Sequence, residues 1–357
     1  MKNFKSTLIA LAVATAMPFT AAQAATRAEL YEIKAPANGD FQYWNSDSQA
    51  KKKLVDFVKG AVAEGSDTFI PVEDRVAVFD LDGTIYCETA PTYFGWVMYF
   101  DRFLANPANN PSFKERELAS YIKAEWEKGN SGAVNAQQNA ALVRATAGMT
   151  QQEFDSYIQP VLDKPVEGLT NLTYGSAFYL PMLEVISYLQ QNDFQVYMVS
   201  ASEREILRAL CKGVLHLPVS SLIASDITYS VKGVDITKDT DYVFDDDDQV
   251  VMGDKFLGEN GGITKVMTIQ RAIGVQPVLA FGNSSGDYSM FNYAMANKKY
   301  HGQAFALLCD DTERENGNLK KAEKVKQNAD KYGWTPVSMK NDFKTIYGDN
   351  VKKVPAL

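Results

Sequence analysis

The sequence predicts an α/β protein: a doubly wound parallel sheet carrying a helical insertion. Three observations predict it. Four short apolar runs each stop at polar or glycine-bearing residues: Val76–Phe79 at Asp80, Val196–Val199 at Ser200, Val278–Phe281 at Gly282 and Asn283, and Ala304–Leu308 at Cys309, Asp310 and Asp311. Unbroken runs of this length suit parallel strands covered on both faces, and helical patterns alternate with them, as such a sheet requires. The alternation fails only over residues 88–176, a stretch too long to be a connecting loop.

Taken in order, the chain begins with a segment that does not belong to the fold. Lys2 and Lys5 form a basic start, Leu8 to Ala16 a short apolar stretch, and Ala22-Gln23-Ala24 a small-residue cleavage site. That is the pattern of a secretory signal peptide over residues 1–24, cleaved after Ala24, and the apolar stretch is too short to span a bilayer. A buried N-terminal helix is the alternative. With no cysteine following the site and no later stretch of roughly 20 apolar residues, the expectation is a periplasmic or secreted protein with no membrane anchor in its mature form. Residues 47–64 then read as a helix, with Leu54, Val55, Phe57, Val58 and Val62 in an apolar stripe.

Residues 88–176 read as mostly helical, with Thr150 and Glu153 placed as a capping box. They are expected to form a helical cap over the strand ends, inserted into a core made of 25–87 and 177–357. The cluster Tyr93, Phe94, Trp96, Tyr99, Phe100 and Phe103 reads as the cap's own core, with a ligand cage as the alternative. Past Pro181, a helix start, Met182, Val185, Ile186 and Leu189 hold helical spacing. Ser202 and Glu205 are spaced as a second capping box opening a helix just past Ser200. Residues 226–253 look like a hairpin or flap, and their Asp245–Asp248 run lacks the spaced ligands of a calcium loop; it reads as a solvated turn.

Composition narrows the function. The 357 residues carry 36 Lys and Arg against 44 Asp and Glu, a net charge of −8. Loss of residues 1–24 removes two lysines and no acid, leaving −10. Phosphate-backbone binding calls for the opposite sign, so no nucleic-acid partner is expected. Two histidines, His216 and His301, are too few for a His-rich metal site. Cys87, Cys211 and Cys309 allow one disulfide at most, with the pairing open; buried thiols are the plainer reading. The oligomeric state is open.

The strongest local signal is Asp80-Leu81-Asp82-Gly83-Thr84 at the end of a buried strand. Gly83 permits a turn that presents both acids to one cavity. One carboxylate can attack phosphorus and form an aspartyl-phosphate, while the other protonates the leaving oxygen and later takes a proton from water. Two acids packed together raise each other's proton affinity, a need that a divalent cation with oxygen ligands meets.

This DLDGT segment after an apolar strand is similar to the first motif of the haloacid dehalogenase superfamily. Met198-Val199-Ser200 resembles the second motif, Lys265 in Gly261-Gly262-Ile263-Thr264-Lys265 the third, and Gly282-Asn283-Ser284-Ser285-Gly286-Asp287 with Met290 the fourth. The resemblance covers residues 72–311. The cap position and the Tyr179-to-Ser202 segment look most like the phosphoserine-phosphatase-like branch, and Trp44-Asn45, Phe79-to-Pro91 and Asp310-to-Glu315 resemble its exported members. The resemblance implies a Rossmann-like core and a Mg2+-dependent hydrolase of small phosphomonoesters. It implies Asp80 as nucleophile and metal ligand, Asp82 as general acid and base with its main-chain carbonyl on the metal, Ser200 on the phosphoryl oxygens, and Lys265 neutralising Asp80. Asn283 and Asp287 would complete the metal site. Asn283 stands where the motif often has an acid, so Asp287 is expected to be the charged ligand. Substrate contacts are expected from Gly83, Thr84, Ala201, Glu88 and Glu203; relatives acting on phosphoserine use an acid near Glu88 to face an amine, which points to an amino-containing substrate. Asp310 and Asp311 are expected to be structural. Two rival readings are a dehalogenase, which needs neither Mg2+ nor Asp82, and an exported binding protein that has lost catalysis.

Overall fold

The computed structural model describes residues 24–89, 92–106, 109, 111–130, 135–235, 237–238 and 241–354. The segment read as a signal peptide lies outside them apart from Ala24, as do Pro91 and the residues beyond 354. Among the described residues the strands form one seven-stranded sheet: β1 Val76–Phe79, β2 Gln195–Glu203, β3 Leu222–Val231, β4 Val250–Gly258, β5 Leu279–Gly282, β6 Gln303–Leu308 and β7 Thr335–Ser338. Their order is β4-β3-β2-β1-β5-β6-β7. All neighbours are parallel except β3 and β4. The α/β class and parallel core follow the apolar runs.

Both faces of the sheet are covered, which is why β1 reads VAVF with no polar residue. Ala77 and Phe79 point into one buried cluster, Val76 and Val78 into the other. Phe79, Phe281 and Phe305 stack across β1, β5 and β6, with centroids 4.2 and 5.0 Å apart. Packing on the sheet are α2 Gln49–Val62 and, after the insertion, α7 Leu180–Gln191, α8 Arg204–Cys211, α9 Ile263–Ala272, α10 Tyr288–Met295 and α11 Leu319–Tyr332, whereas the short α1 Arg27–Tyr31 lies against the turn Tyr174–Ser176. The segment before β1 is tied down by Glu184 on α7, whose carboxylate accepts the N–H groups of Gln42 and Tyr43 at 2.8 and 2.9 Å.

The stretch between β1 and β2 holds α3 Phe94–Phe100, α4 Phe113–Glu127, α5 Asn135–Arg144 and α6 Gln151–Leu162, and the Thr150–Glu153 capping box forms. A π-helical turn, Asp101–Ala105, extends α3. Its aromatic cluster divides: Phe94, Tyr99 and Phe103 are core, whereas Tyr93 and Trp96 reach the cavity beneath. β3 and β4 form the expected hairpin, and Asp245–Asp248 sit at its exposed end, where Asp248 accepts from the Tyr242 hydroxyl and the Asp245 N–H.

One local expectation fails. Ser202 and Glu205 form no capping box, because β2 runs on to Glu203 and the helix begins at Arg204. Glu203 is the cap: its two carboxylate oxygens accept the N–H groups of Glu205 and Ile206 at 3.0 and 3.4 Å. The three cysteines are buried free thiols.

Candidate active site

Strand order reverses at β1, which has β2 on one side and β5 on the other. In open parallel sheets a ligand crevice lies outside the carboxyl ends of the strands at such a point. A cavity of about 790 Å³ opens there, lined by Asp80 and Asp82 after β1, Ala201 and Ser202 at the end of β2, Lys265 on α9, and Asn283, Ser284 and Asp287 after β5.

Asp80 is the first residue past β1, and its N–H bonds to the Phe281 carbonyl at 2.9 Å. The chain then turns: the Leu81 carbonyl accepts the N–H groups of Thr84 and Ile85, and Gly83 has a φ of 75°. A side chain at Gly83 would strain the backbone and place its Cβ 1.8 Å from Asn283 Nδ2. This turn brings both acids to the cavity.

Lys265 sits in the first turn of α9 and is only 2% exposed. Its Nζ donates to Asp80 Oδ1 at 2.6 Å and to Asp287 Oδ1 at 2.7 Å. Burial disfavours its charge, but the two carboxylates outweigh burial and hold it firmly protonated. Asp287 Oδ2 accepts the N–H groups of Asn283 and Ser284, each at 3.0 Å, so Asp287 shapes the loop after β5 as well as holding Lys265. Gly282 is needed beside it, since a Cβ there would come within 2.6 Å of the Asp287 side chain.

Burial, and then the charge of Asp287, raise Asp80 above the usual carboxylate range against the pull of Lys265. Burial and the charge of Asp80 push Asp82 up to about 8, despite a 2.8 Å bond from Ser202 Oγ to Asp82 Oδ2. Asp82 thus holds a proton at neutral pH while Lys265 favours the ionised form of Asp80. Both acids are raised, Asp82 further than Asp80, because Lys265 sits against Asp80 and offsets part of its rise.

Other expected residues are placed differently. Ser200, Gly83 and Thr84 are set back from the cavity. Ser200 is buried and its Oγ accepts the Ser202 N–H at 3.0 Å; Thr84 Oγ1 bonds Asp80 Oδ2 at 3.3 Å. Ser200 and Thr84 thus bond residues that line the cavity, Ser202 and Asp80. Ala201 lines it as expected. Glu203 lines it as well, but as the engaged cap of α8. Glu88 also lines it, and its Oε2 accepts from Lys321 Nζ at 2.6 Å and from Asn283 Nδ2 at 3.0 Å. Asp310 and Asp311 are structural: Asp310 accepts from Ser338 and Lys340, and Asp311 from Arg314.

Lys321 and Asn260 were not expected from the sequence, and Ser202 was expected only as a helix cap. The place of Ser202 in the site was within reach, because side chains at i and i+2 of a strand share a face, and extending β2 past Ser200 puts Ser202 beside Asp82. Asn260 joins α9 to β2: its side chain donates to the Ser200 carbonyl at 3.1 Å and accepts from Thr268 Oγ1 at 2.7 Å. Lys321, on α11, bears no local signal. The lining also includes Tyr93, Trp96, Trp126, Leu142 and Phe256, and Trp126 Nε1 is buried with no hydrogen-bond partner among the described residues.

The haloacid dehalogenase-like hydrolase family model matches residues 77–292, more than half of the chain. The chain belongs to this family. No curated protein matches it. Among solved structures, a functionally unknown conserved protein of Anaerococcus prevotii DSM 20548 is similar in fold, with a TM-score of 0.51 and 14% identity over 86% of this chain and 97% of that one. A Bordetella pertussis Tohama I protein of unknown function gives 0.46 and 15% over 74% and 97%. A probable phosphoserine phosphatase of Vibrio cholerae gives 0.34 and 11% over 72% and 68%.

Membership of the haloacid dehalogenase-like hydrolases implies a magnesium ion, and the donors can be judged against it. Among the described residues no three His, Cys, Asp or Glu side chains close on one point as a ligand cluster. The lining of the cavity holds neither cysteine nor histidine. Magnesium is bound through one or two carboxylates, with neutral oxygens and water completing the shell. Asp80, the Asp82 carbonyl and the Asn283 amide supply that donor chemistry, with Asp287 beside them, so the residues fit the ion.

Proposed function

We propose that the chain is a Mg2+-dependent phosphomonoester hydrolase acting through an aspartyl-phosphate on Asp80. One observation carries the reading: a buried lysine favours the ionised form of Asp80, while the acid two residues on is held protonated beside a serine. A nucleophile and a proton donor are thus prepared together, which phosphoryl transfer needs. Displacement of halide from carbon has no use for the second acid.

The steps follow from those states. An Asp80 carboxylate oxygen bonds to phosphorus as the bond from phosphorus to the leaving oxygen breaks, and Asp82 gives its proton to that oxygen. Asp82, now ionised, takes a proton from water; the resulting hydroxide attacks phosphorus, the bond to Asp80 breaks, and phosphate leaves. Lys265 offsets the charge of Asp80 against the approaching phosphate. Asp80, the Asp82 main-chain carbonyl, Asn283 and Asp287 would hold Mg2+, which supplies neutralisation of phosphoryl charge. The leaving group would lie against Tyr93, Trp96 and Trp126. Lys321 already neutralises Glu88, so this acid offers an incoming amine no unmet charge. The basic, apolar and small-residue pattern of 1–24 supports export, and among the described residues no helix is long and apolar enough to cross a membrane.

The test is hydrolysis of p-nitrophenyl phosphate with Mg2+ and with EDTA. Wild type should turn over only with Mg2+, and Asp80→Asn should abolish turnover while keeping the wild-type circular dichroism spectrum. Undiminished activity of Asp80→Asn overturns the scheme.

A further inference from the structure

Asn283 is a neutral residue where this family's fourth motif often carries an acid, and an amide makes a demand that a carboxylate does not. Either oxygen of a carboxylate can meet a cation. An amide has one oxygen and one NH2, and with the wrong face turned it presents two protons to the ion. Something must choose the face.

The structure supplies it. Asn283 Nδ2 lies 3.0 Å from Glu88 Oε2, an oxygen that also accepts from Lys321 Nζ at 2.6 Å. An ion-paired carboxylate oxygen only accepts, so the amide atom facing it is the nitrogen. The main chain of Asn283 is fixed too, its N–H bonded to Asp287 Oδ2 at 3.0 Å, and the residue is 2% exposed. With the backbone and Nδ2 both held, Oδ1 has one place left to be, on the side of the amide away from Glu88. Gly83 makes room for this pairing: a Cβ there would lie 1.8 Å from Asn283 Nδ2 and 2.8 Å from Glu88 Oε2.

We propose that Glu88, anchored by Lys321, is a positioning residue that aims the Asn283 amide, committing its nitrogen so that its oxygen is the atom left for the cation. Acid and amide have thus exchanged places across one hydrogen bond, with Asn283 next to the ion and Glu88 behind it. Groups that orient metal ligands in this way typically matter by about 10–100-fold in metal affinity.

The inference rests on the Mg2+-dependent reading above, and its test separates the two. Mg2+ binding is measured by calorimetry, without substrate, alongside the melting temperature of each protein in EDTA. Glu88→Ala should weaken Mg2+ binding by about 10–100-fold. Glu88→Gln keeps an acceptor but loses the charge, and should weaken it less. Asn283→Asp alone places two carboxylates in hydrogen-bond contact and should lower the melting temperature in EDTA. The exchanged pair Glu88→Gln with Asn283→Asp restores a donor–acceptor contact at unchanged total charge. It should recover that melting temperature and bind Mg2+ at least as tightly as wild type. Because a carboxylate at 283 needs no aiming, Glu88→Ala combined with Asn283→Asp should not show the loss of Mg2+ affinity seen in Glu88→Ala alone, a difference that a merely structural role for Glu88 would not produce. Wild-type affinity in Glu88→Ala, or the same loss in the combined variant, overturns the positioning role while the Mg2+-dependent reading stands. A wild-type protein that binds no Mg2+ overturns both.

Discussion

Replacing Lys265 by methionine puts the electrostatics of the site to a quantitative test. The ammonium nitrogen touches Asp80 Oδ1 at 2.6 Å and Asp287 Oδ1 at 2.7 Å, so the two oxygens are at most about 5.3 Å apart, the contacts laid end to end. With methionine at position 265, two buried carboxylates face each other across an uncharged side chain of similar length. At an effective dielectric constant of about 20, two unit charges at that distance repel by about 3 kcal/mol. That agrees with the loss of about 3–5 kcal/mol when one partner of a buried ion pair is removed. At roughly 2–4 °C per kcal/mol for a large domain, the melting temperature should fall by roughly 6–12 °C. The assay is thermal unfolding followed by circular dichroism at pH 8 in EDTA, which keeps any cation out of the comparison. The double variant Lys265→Met with Asp287→Asn removes one of the two charges and should regain most of the loss. A Lys265→Met protein that melts with the wild type would refute this account, as would a double variant no more stable than the single one.

Two further outcomes concern stability away from the site. Burial raises the carboxyl of Glu184 from 4.5 to about 7. Between those values the folded state binds more protons than the unfolded state, so stability falls as pH rises through this window and is level above it, by at most about 3 kcal/mol; Glu184→Gln should flatten this part of a denaturation-against-pH profile. Arg27 donates to the carbonyls of Ala209, Leu210 and Lys212 at the end of α8 and to Gly175 at 2.6 Å. Those helix-end carbonyls have no other intrahelical partners, so Arg27→Ala should cost about 3 kcal/mol in urea unfolding, and Arg27→Lys, lacking the planar fork, should recover under half of it.

How much was legible in the sequence follows from the range of each interaction. Two strand ends were legible because a buried strand must be apolar until the chain leaves the sheet, and Asp80 and Asn283 mark where it leaves; at Ser200 the apolar run stops, but β2 continues to Glu203. Lys265 was legible as part of a motif, although its contact with Asp80 crosses 185 residues. The second capping box was misread because Ser202 and Glu205 have the correct spacing, and spacing alone does not say whether a serine is still in a strand. A bond to Asp82 from 120 residues away decides it. Lys321 was illegible for the same reason in stronger form: α11 is lysine-rich along its exposed face, and only the fold says which lysine meets Glu88. The candidate metal ligands were readable one by one, and the contact that orients one of them was not.

The charge of the cavity bears on what must be bound before a phosphate ester can enter. Six acids line it, Asp80, Asp82, Glu88, Glu203, Glu259 and Asp287, against two lysines. Both lysines are engaged, Lys265 with Asp80 and Asp287, and Lys321 with Glu88. Even with a proton on Asp82, no positive charge is left over to receive a phosphate dianion, and the overall balance of the chain is negative as well. Like charges in so enclosed a space repel strongly. On the proposed reading a divalent cation must therefore precede the substrate, since it alone supplies the missing charge. On that reading a neutral amide at Asn283 works in the same direction: it would offer an oxygen to the ion without adding another negative charge to a cavity that already has too many.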